Sequence, residues 1–323
     1  MKLLRRKFLH LAAGAAALPA VSHFASAQAY PTRPIRLIAP FPPGGSIDLT
    51  ARLIGQWLTE QLGQQFVIEN RSGAAGNIGS ETALNSPSDG YTLLLCSVAN
   101  AISATLYDKL NYNFRDVAPV AGISRAPNVM VLHPSVPAET PQFIAYAKAN
   151  PGKINMASSG NATPLHVGGE LFQMMAGVKL VHVAYRGEPV ARPDLLSGQV
   201  QVMFGVVPSS LPYIKNGQTR ALAVSASHRL EVLPDIPAMA EFLPGYEASG
   251  WYGIAGPKDT PAEIVERLNR EINAGLADAK TKARLGDLGC LVQPGTPADF
   301  AKFAAGETDK WGKVIQAAGI KAE

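Results

Sequence analysis

Apolar and polar positions alternate in blocks along this chain. Short apolar runs at 35–41, 66–69 and 91–98 are each followed by a stretch with helical or small-residue character, at 48–62, at 80–84 and, more loosely, up to Arg115. A brief apolar run followed by a 3.6-residue period is the mark of a βαβ unit, and its repetition predicts a mostly parallel sheet. In the first helix, Ala51, Ile54, Leu58 and Leu62 share one face and Gly63 ends it. The pattern begins again at 153–157 with 164–175, continues at 181–184 with 189–196, and closes at 200–204 with 221–226. Between the halves lies an apolar run at 128–133 after Pro127, and a second at 250–255 leads into a last helical segment at 261–277. These two runs read as hinge strands. The chain is therefore expected to be α/β, with one lobe at 28–127 plus 253–323 and a second at 128–252.

The N-terminus carries its own signal. Arg5-Arg6-Lys7-Phe8-Leu9 precedes an alanine-rich apolar run from Leu11 to Ala20 and a small-residue Ala25-Ser26-Ala27 site. That order predicts an export leader at 1–27, cleaved near Ala27 with Ala29 as the fallback, and hence a periplasmic protein. The apolar run is too short for a span of about 20 residues. The paired arginines resemble a twin-arginine motif, although Leu4 stands where a small polar residue is usual; an ordinary Sec leader is the alternative. Gln28 after the site, in place of Cys, excludes a lipoprotein signal.

Charge changes meaning once the leader is set aside. Lys2, Arg5, Arg6 and Lys7 hold four of the 29 basic groups, and the remaining 25 match the 25 acidic groups. The formal charge of +4 belongs to the leader, so the folding part lacks a basic nucleic-acid footprint. About 300 residues with 47% apolar composition suffice for two cores. Cys96 lies in an apolar run and Cys290 is far from it in sequence; they make no metal spacing, although a disulfide between them is chemically allowed outside the cytoplasm.

Candidate chemistry lies just past the strands, because open parallel sheets bind ligands beyond their carboxyl ends. Phe41-Pro42-Pro43-Gly44-Gly45-Ser46-Ile47-Asp48 leaves the first strand and starts a helix, with Ser46 read as the N-cap, so free N–H groups suit an anion. Gly73-Ala74-Ala75-Gly76-Asn77-Ile78-Gly79-Ser80 comes after the second strand. In the other half, Ser158-Ser159-Gly160-Asn161-Ala162-Thr163-Pro164 places Thr163 as cap and Pro164 first in its helix, and Tyr185-Arg186-Gly187-Glu188-Pro189 repeats the plan. Four helix starts, two from each half, would face one cleft.

These segments, with Tyr30-Pro31-Thr32-Arg33-Pro34-Ile35, Glu69-Asn70-Arg71-Ser72, Asp89-Gly90-Tyr91-Thr92-Leu93, Pro151-Gly152-Lys153-Ile154 and Leu195-Leu196-Ser197-Gly198-Gln199-Val200, resemble the substrate-binding proteins of the tripartite tricarboxylate transporter family, the Bug or TctC family. The resemblance implies a type II periplasmic-binding-protein fold that closes on a small-molecule carboxylate. It implies a permease of the tripartite tricarboxylate type as partner, or alternatively a sensor protein, no nucleic acid, no cofactor, no metal and a monomer. Residue by residue, it implies that Gly45, Ser46, Gly76 and Asn77 hold the proximal carboxylate or its waters, with Phe41 beside them and Asp48 organising the first loop. Ser97 and Asn100 would line the floor. Ser159, Asn161, Thr163 and His166 would close from the other lobe, with Tyr185, Arg186 and Gly187 near the ligand's far end. Ala162 stands where a glycine is common, Gln201 where Asp is frequent, and Gly205-Val206 where an Asp-Asn pair is frequent. Loss of a carboxylate near Gly205 favours a non-amino mono- or dicarboxylate, aromatic acids included.

Competing readings remain at several residues. His166 and Glu170 stand i, i+4 and suit a helix pair better than a metal site lacking a third ligand. Arg186 either meets a distal carboxylate or pairs with Glu188 or another nearby acid. Trp251 suits hinge packing better than ligand contact. An exported hydrolase is the rival class, but neither Gly-x-Ser-x-Gly nor His-Glu-x-x-His occurs.

Overall fold

The structure, a computed structural model, describes residues 30–322. The expected leader and its cleavage site lie outside the described residues. From Arg33 on, the described chain forms one compact unit.

Two sheets organise it. The first is built from β1 (Ile35–Ala39), β2 (Phe66–Asn70), β3 (Thr92–Ser97), β4 (Ala118–Ala126), the returning β10 (Gly250–Gly256) and the short β11 (Leu291–Val292), in the order β11-β4-β10-β3-β1-β2. The second contains β5 (Asn128–Leu132), β6 (Asn155–Ser158), β7 (Val181–Ala184), β8 (Val202–Val206) and β9 (Arg220–Val224), in the order β7-β6-β8-β5-β9. Only Pro127 separates β4 from β5, so the chain passes from one sheet to the other through nearly continuous strand.

The sheets are more mixed than the sequence predicts. β1 runs parallel to β2 and β3, and β6 runs parallel to β7 and β8. β10 is antiparallel to both β3 and β4, and β5 is antiparallel to both β8 and β9. Strands linked by a crossover helix must run parallel, whereas strands arriving from the opposite sheet are free to enter reversed. The fold is the two-sheet α/β architecture of periplasmic binding proteins.

The helices arise from local sequence. In α1 (Ser46–Leu62), Ala51, Ile54 and Leu58 are fully buried. α2 (Asn77–Leu84) and α3 (Val98–Leu106) complete the first set. α4 (Thr140–Ala149), α5 (Pro164–Ala176), α6 (Glu188–Leu196) and α7 (Val207–Lys215) surround the second sheet; α8 (Ala262–Ala277), α9 (Ala279–Asp287) and α10 (Pro297–Ala318) come last. β3 is buried at every position, and each of Leu93, Leu94 and Leu95 contributes about 2 kcal/mol by leaving water. Six elements escape the periodicity: β4, α4, α7, α9, the two-residue β11 and the 22-residue α10. α10 packs on α3 and β4 and also on α5, and one apolar cluster runs from Leu94 through Trp251 and Trp311 to Phe172 and Phe204. Trp251 is a core residue: it is 1% exposed and its Nε1–H donates to Glu307 Oε2 at 3.0 Å. Both cysteines are free and buried. Burial pushes the Cys96 thiol up to about 12.

Candidate functional site

The first loop is shaped from within. Gly45, extended at φ −80° and ψ 168°, caps α1 without a side-chain hydrogen bond, and Ser46 is the first helical residue. The sequence reading of Ser46 as the cap is corrected by one position. The cap side chain is therefore missing, and the first-turn N–H groups have no acceptor within the helix. Asp48 is 2% exposed and turns inward. Its Oδ2 accepts from Gly44 N–H at 2.9 Å and from Arg52 Nε at 3.0 Å, and its Oδ1 accepts from Asn70 Nδ2 at 3.0 Å. Burial resists ionisation of this carboxyl, but Arg52, the Gly44 amide and Asn70 outweigh it and hold it below the usual carboxylate range. Asn70 also donates to Phe41 O at 3.0 Å, which ties the loop to the end of β2.

The second loop is a left-handed run. Gly73, Ala74, Ala75 and Gly76 have φ of 130°, 46°, 54° and 90°. A left-handed alanine costs about 1–2 kcal/mol, so two in succession need external support. A Cβ at Gly76 would sit 2.9 Å from the Phe41 ring, so glycine lets the two loops touch. Support comes from a chain of hydrogen bonds: Ser97 N–H to Asn100 Oδ1 at 3.0 Å, Asn100 Nδ2 to Ser80 Oγ at 2.7 Å, and Ser80 Oγ to Gly76 O at 2.9 Å. Ser97 also caps α3, accepting from Ala99 N–H. Asn77 Oδ1 accepts from the Tyr112 hydroxyl at 2.7 Å.

The second sheet presents side chains instead. Thr163 caps α5, and its Oγ1 donates to Gly160 O at 2.8 Å. Ala162, left-handed at φ 55°, donates its N–H to His166 Nδ1 at 3.0 Å. That bond makes Nδ1 the acceptor, so the proton of neutral His166 sits on Nε2, 3.6 Å from Glu170 Oε1. The His166 ring stacks on His182 with centroids 3.5 Å apart, and His182 Nε2 meets Ser158 Oγ at 2.6 Å. Burial first, then the neighbouring His166, pulls the His182 pKa down to about 4 against the opposing pull of Glu170. Asn161 Nδ2 donates to Lys321 O at 3.1 Å. The Tyr185 hydroxyl donates to Asp194 at 2.6 Å; burial and that carboxylate push the phenol up to about 12.

Glu188 opens α6 behind its cap, Gly187. Its Oε1 accepts from Val206 N–H at 3.0 Å, and its Oε2 accepts from Ser209 Oγ at 2.8 Å and Arg192 Nη2 at 3.2 Å. Arg192 is 6% exposed, and its guanidinium lies 4.5 Å above the Tyr213 ring.

Three cavities join these parts. One of about 780 Å³ is lined by Gly45 and Ser46 on one side and by Ser159, Glu188, Arg192, Ser209 and Tyr213 on the other. A second, about 470 Å³, lies between the first loop and Tyr252, whose phenol burial pushes up to about 12. A third, about 270 Å³, brings Phe41 and Ala75 against Asn161, Ala162 and Thr163.

The family described as the tripartite tricarboxylate transporter family receptor matches residues 50–320. The chain belongs to this family of solute-binding receptors. The receptor is 36% identical over 301 residues to Protein BugT of Bordetella pertussis, covering 92% of each chain. It superposes on the R. palustris protein Rpa4515 with adipate at a TM-score of 0.75 and 34% identity, over 90% of this chain and 99% of that one. It likewise matches MatC of Rhodopseudomonas palustris with bound malate at a TM-score of 0.71 and 29% identity, over 88% and 100%.

In the receptor, Phe41, Gly45, Ser46, Ser159, Asn161 and Thr163 line the cavities. Asp48, Gly76, Ser97, Asn100 and His166 are buried behind them and shape the loops, while the polar tips of Asn77 and Tyr185 engage Tyr112 and Asp194. Arg186 is exposed and makes no ion pair among the described residues. Sequence reasoning missed Glu188, Arg192, Ser209, Tyr213 and Tyr252 as lining residues. The i, i+4 spacing of Glu188 and Arg192 was the available signal. No group of three His, Cys, Asp or Glu among the described residues is placed to hold a metal ion.

Proposed function

We propose that the receptor captures a non-amino mono- or dicarboxylate, aromatic acids included, in the cavity between its sheets and delivers it unchanged to a permease of the tripartite tricarboxylate type. The observation that carries this reading is the start of α1, where Gly45 and Ser46 line a cavity of about 780 Å³ whose other wall belongs to the second sheet. First-turn amides with no acceptor within the helix and the positive end of the helix favour a carboxylate there. The related structures carrying adipate and malate support the same ligand class. Export through the 1–27 leader would place the receptor in the periplasm as a monomer, and closure would bring the lobes at 28–127 plus 253–323 and at 128–252 together.

Ser46→Pro tests the anion site cleanly. Proline is well tolerated at the first helical position, and the extended Gly45 before it suits a following proline, so the fold survives while one amide donor and the hydroxyl beside Tyr252 disappear. Calorimetry across aliphatic, hydroxy and aromatic acids is expected to find a ligand for the parent chain and a loss of about tenfold or more in the variant. Equal affinity in both would move the anion site away from this loop.

A further inference from the structure

The cavity's second wall holds an ion pair that loop geometry alone does not require. Arg192 is 6% exposed, yet its Nη1 has no acceptor among the described residues, while Nη2 reaches Glu188 Oε2 at 3.2 Å and Ser209 Oγ at 3.3 Å. The Glu188 carboxylate is in the opposite condition. It already receives the Val206 amide, the Ser209 hydroxyl and Arg192. The unspent capacity of this pair is thus a donor on a permanent cation, not an acceptor. A buried guanidinium left with an unmatched donor is costly, and a pair serving only the fold would be expected to saturate both partners.

The surroundings are built to keep the pair in place. A Cβ at position 205 would lie 3.1 Å from Glu188 Oε2 and 2.7 Å from Ser210 Oγ, so Gly205 lets the carboxylate lie against β8. The Tyr213 ring supports the guanidinium. Pro189, Pro193 and Leu196 give the rest of this wall an apolar surface, and the same cavity reaches Gly45 and Ser46.

We propose that Arg192, oriented by Glu188, is the specificity-determining residue of the receptor and takes the distal carboxylate of a dicarboxylate whose proximal carboxylate sits at the start of α1. This rests on the carboxylate-receptor reading and extends it from a ligand class to a ligand with two acidic ends separated by an apolar middle. It also bears on the amino-group question, since a carboxylate does stand beside Gly205, supplied by Glu188, but its oxygens are occupied and offer little to a ligand ammonium.

The test is calorimetry on the chain lacking residues 1–27, using matched pairs: butyrate and succinate, hexanoate and adipate, benzoate and terephthalate, with glutarate against glutamate. The parent chain is expected to bind its best diacid about tenfold to a hundredfold more tightly than the matched monoacid, the range for one charge-assisted contact. The double variant Glu188→Gln, Arg192→Met, which removes the pair without stranding a charge, is expected to lose that preference, its diacid-to-monoacid affinity ratio falling to within about threefold of one. Equal binding of diacid and monoacid by the parent chain, preference retained in the variant, or glutamate binding more tightly than glutarate would each overturn the assignment. The parent comparison stands even if the variant fails to fold. Binding of no acid at all would end the carboxylate reading, and this assignment with it; equal affinities within each pair would end only the assignment.

Discussion

The two walls of the main cavity are made of different material. On the side of the first sheet the surface is backbone: Gly45 and Ser46 at a helix start, beside a left-handed run at Gly73–Gly76, with the nearby polar side chains turned inward. On the side of the second sheet it is side chains: Ser159, Glu188, Arg192, Ser209 and Tyr213. A backbone wall recognises a group common to a whole class of ligands, because amides at a helix start bind the carboxylate and are indifferent to the carbon skeleton attached to it. A side-chain wall varies with single substitutions and so is where members of such a class are told apart. The contrast assigns shared affinity to the first wall and choice of ligand to the second.

Breaking the first wall is expected to cost the most. Asp48→Ala strands the Gly44 amide and Asn70 in a buried loop and should destabilise by about 2–4 kcal/mol in urea unfolding. Because its folded pKa lies below the ordinary carboxylate value, Asp48 gives its full stabilisation at neutral pH and loses it as pH falls through that lowered value. Asp48→Asn should accordingly flatten the acid limb of the stability curve. Gly76→Ala comes next: a left-handed φ of 90° and a Cβ at 2.9 Å from Phe41 predict about 1–3 kcal/mol and a weaker hold on any carboxylate. The second sheet should answer to pH as well, through His182. Unfolded His182 binds a proton below its ordinary 6.5 but the folded side chain only near 4, so stability is full above that window and declines across it as pH falls. His182→Gln should reduce the decline by about 1–2 kcal/mol after allowance for solvent, read as the difference between variant and parent melting curves. A decline unchanged by the substitution would detach the His166–His182 stack from acid sensitivity.

Much of this was legible along the chain. Apolar runs placed β1, β2, β3, β5–β8 and β10 to within a few residues, since a strand buried on both faces, such as Leu93-Leu94-Leu95, announces itself without its partners, whereas 221–226, set in the helical place of the alternation, is strand β9. β4 did not, because Ala118-Pro119-Val120-Ala121-Gly122 has little strand propensity and exists as a strand by pairing with β10. α10 was readable in principle: Thr296 and Asp299 form a capping box around Pro297. Loop positions were found more readily than loop roles. Ser97 and Asn100 stand near the carboxyl end of β3 as expected, but only the fold shows that they brace Gly76 through Ser80. The role of Glu188 and Arg192 was hidden for a related reason, although their spacing was readable. An i, i+4 pair of opposite charge usually lies on a solvated helix face, and this one is buried by Ser209, Tyr213 and the glycine at 205.

The smallest expected effect sharpens the comparison most directly. Arg186 stands in a motif that resembles the family's, and the sequence leaves it equally suited to a distal carboxylate or to a bridge with Glu188. The fold gives Glu188 to Arg192 instead, and leaves Arg186 exposed with no ion pair among the described residues. An exposed arginine of this kind contributes little, so Arg186→Ala should shift stability by no more than about 0.5 kcal/mol and ligand affinity by less than about threefold. The measurement is calorimetry with the best diacid, run beside the Arg192 variant. A loss on Arg186→Ala as large as that on the Arg192 variant would move the distal charge from the buried pair to the rim of the cleft, because only a residue that reaches the ligand in the closed receptor has such an effect from an unpaired surface position.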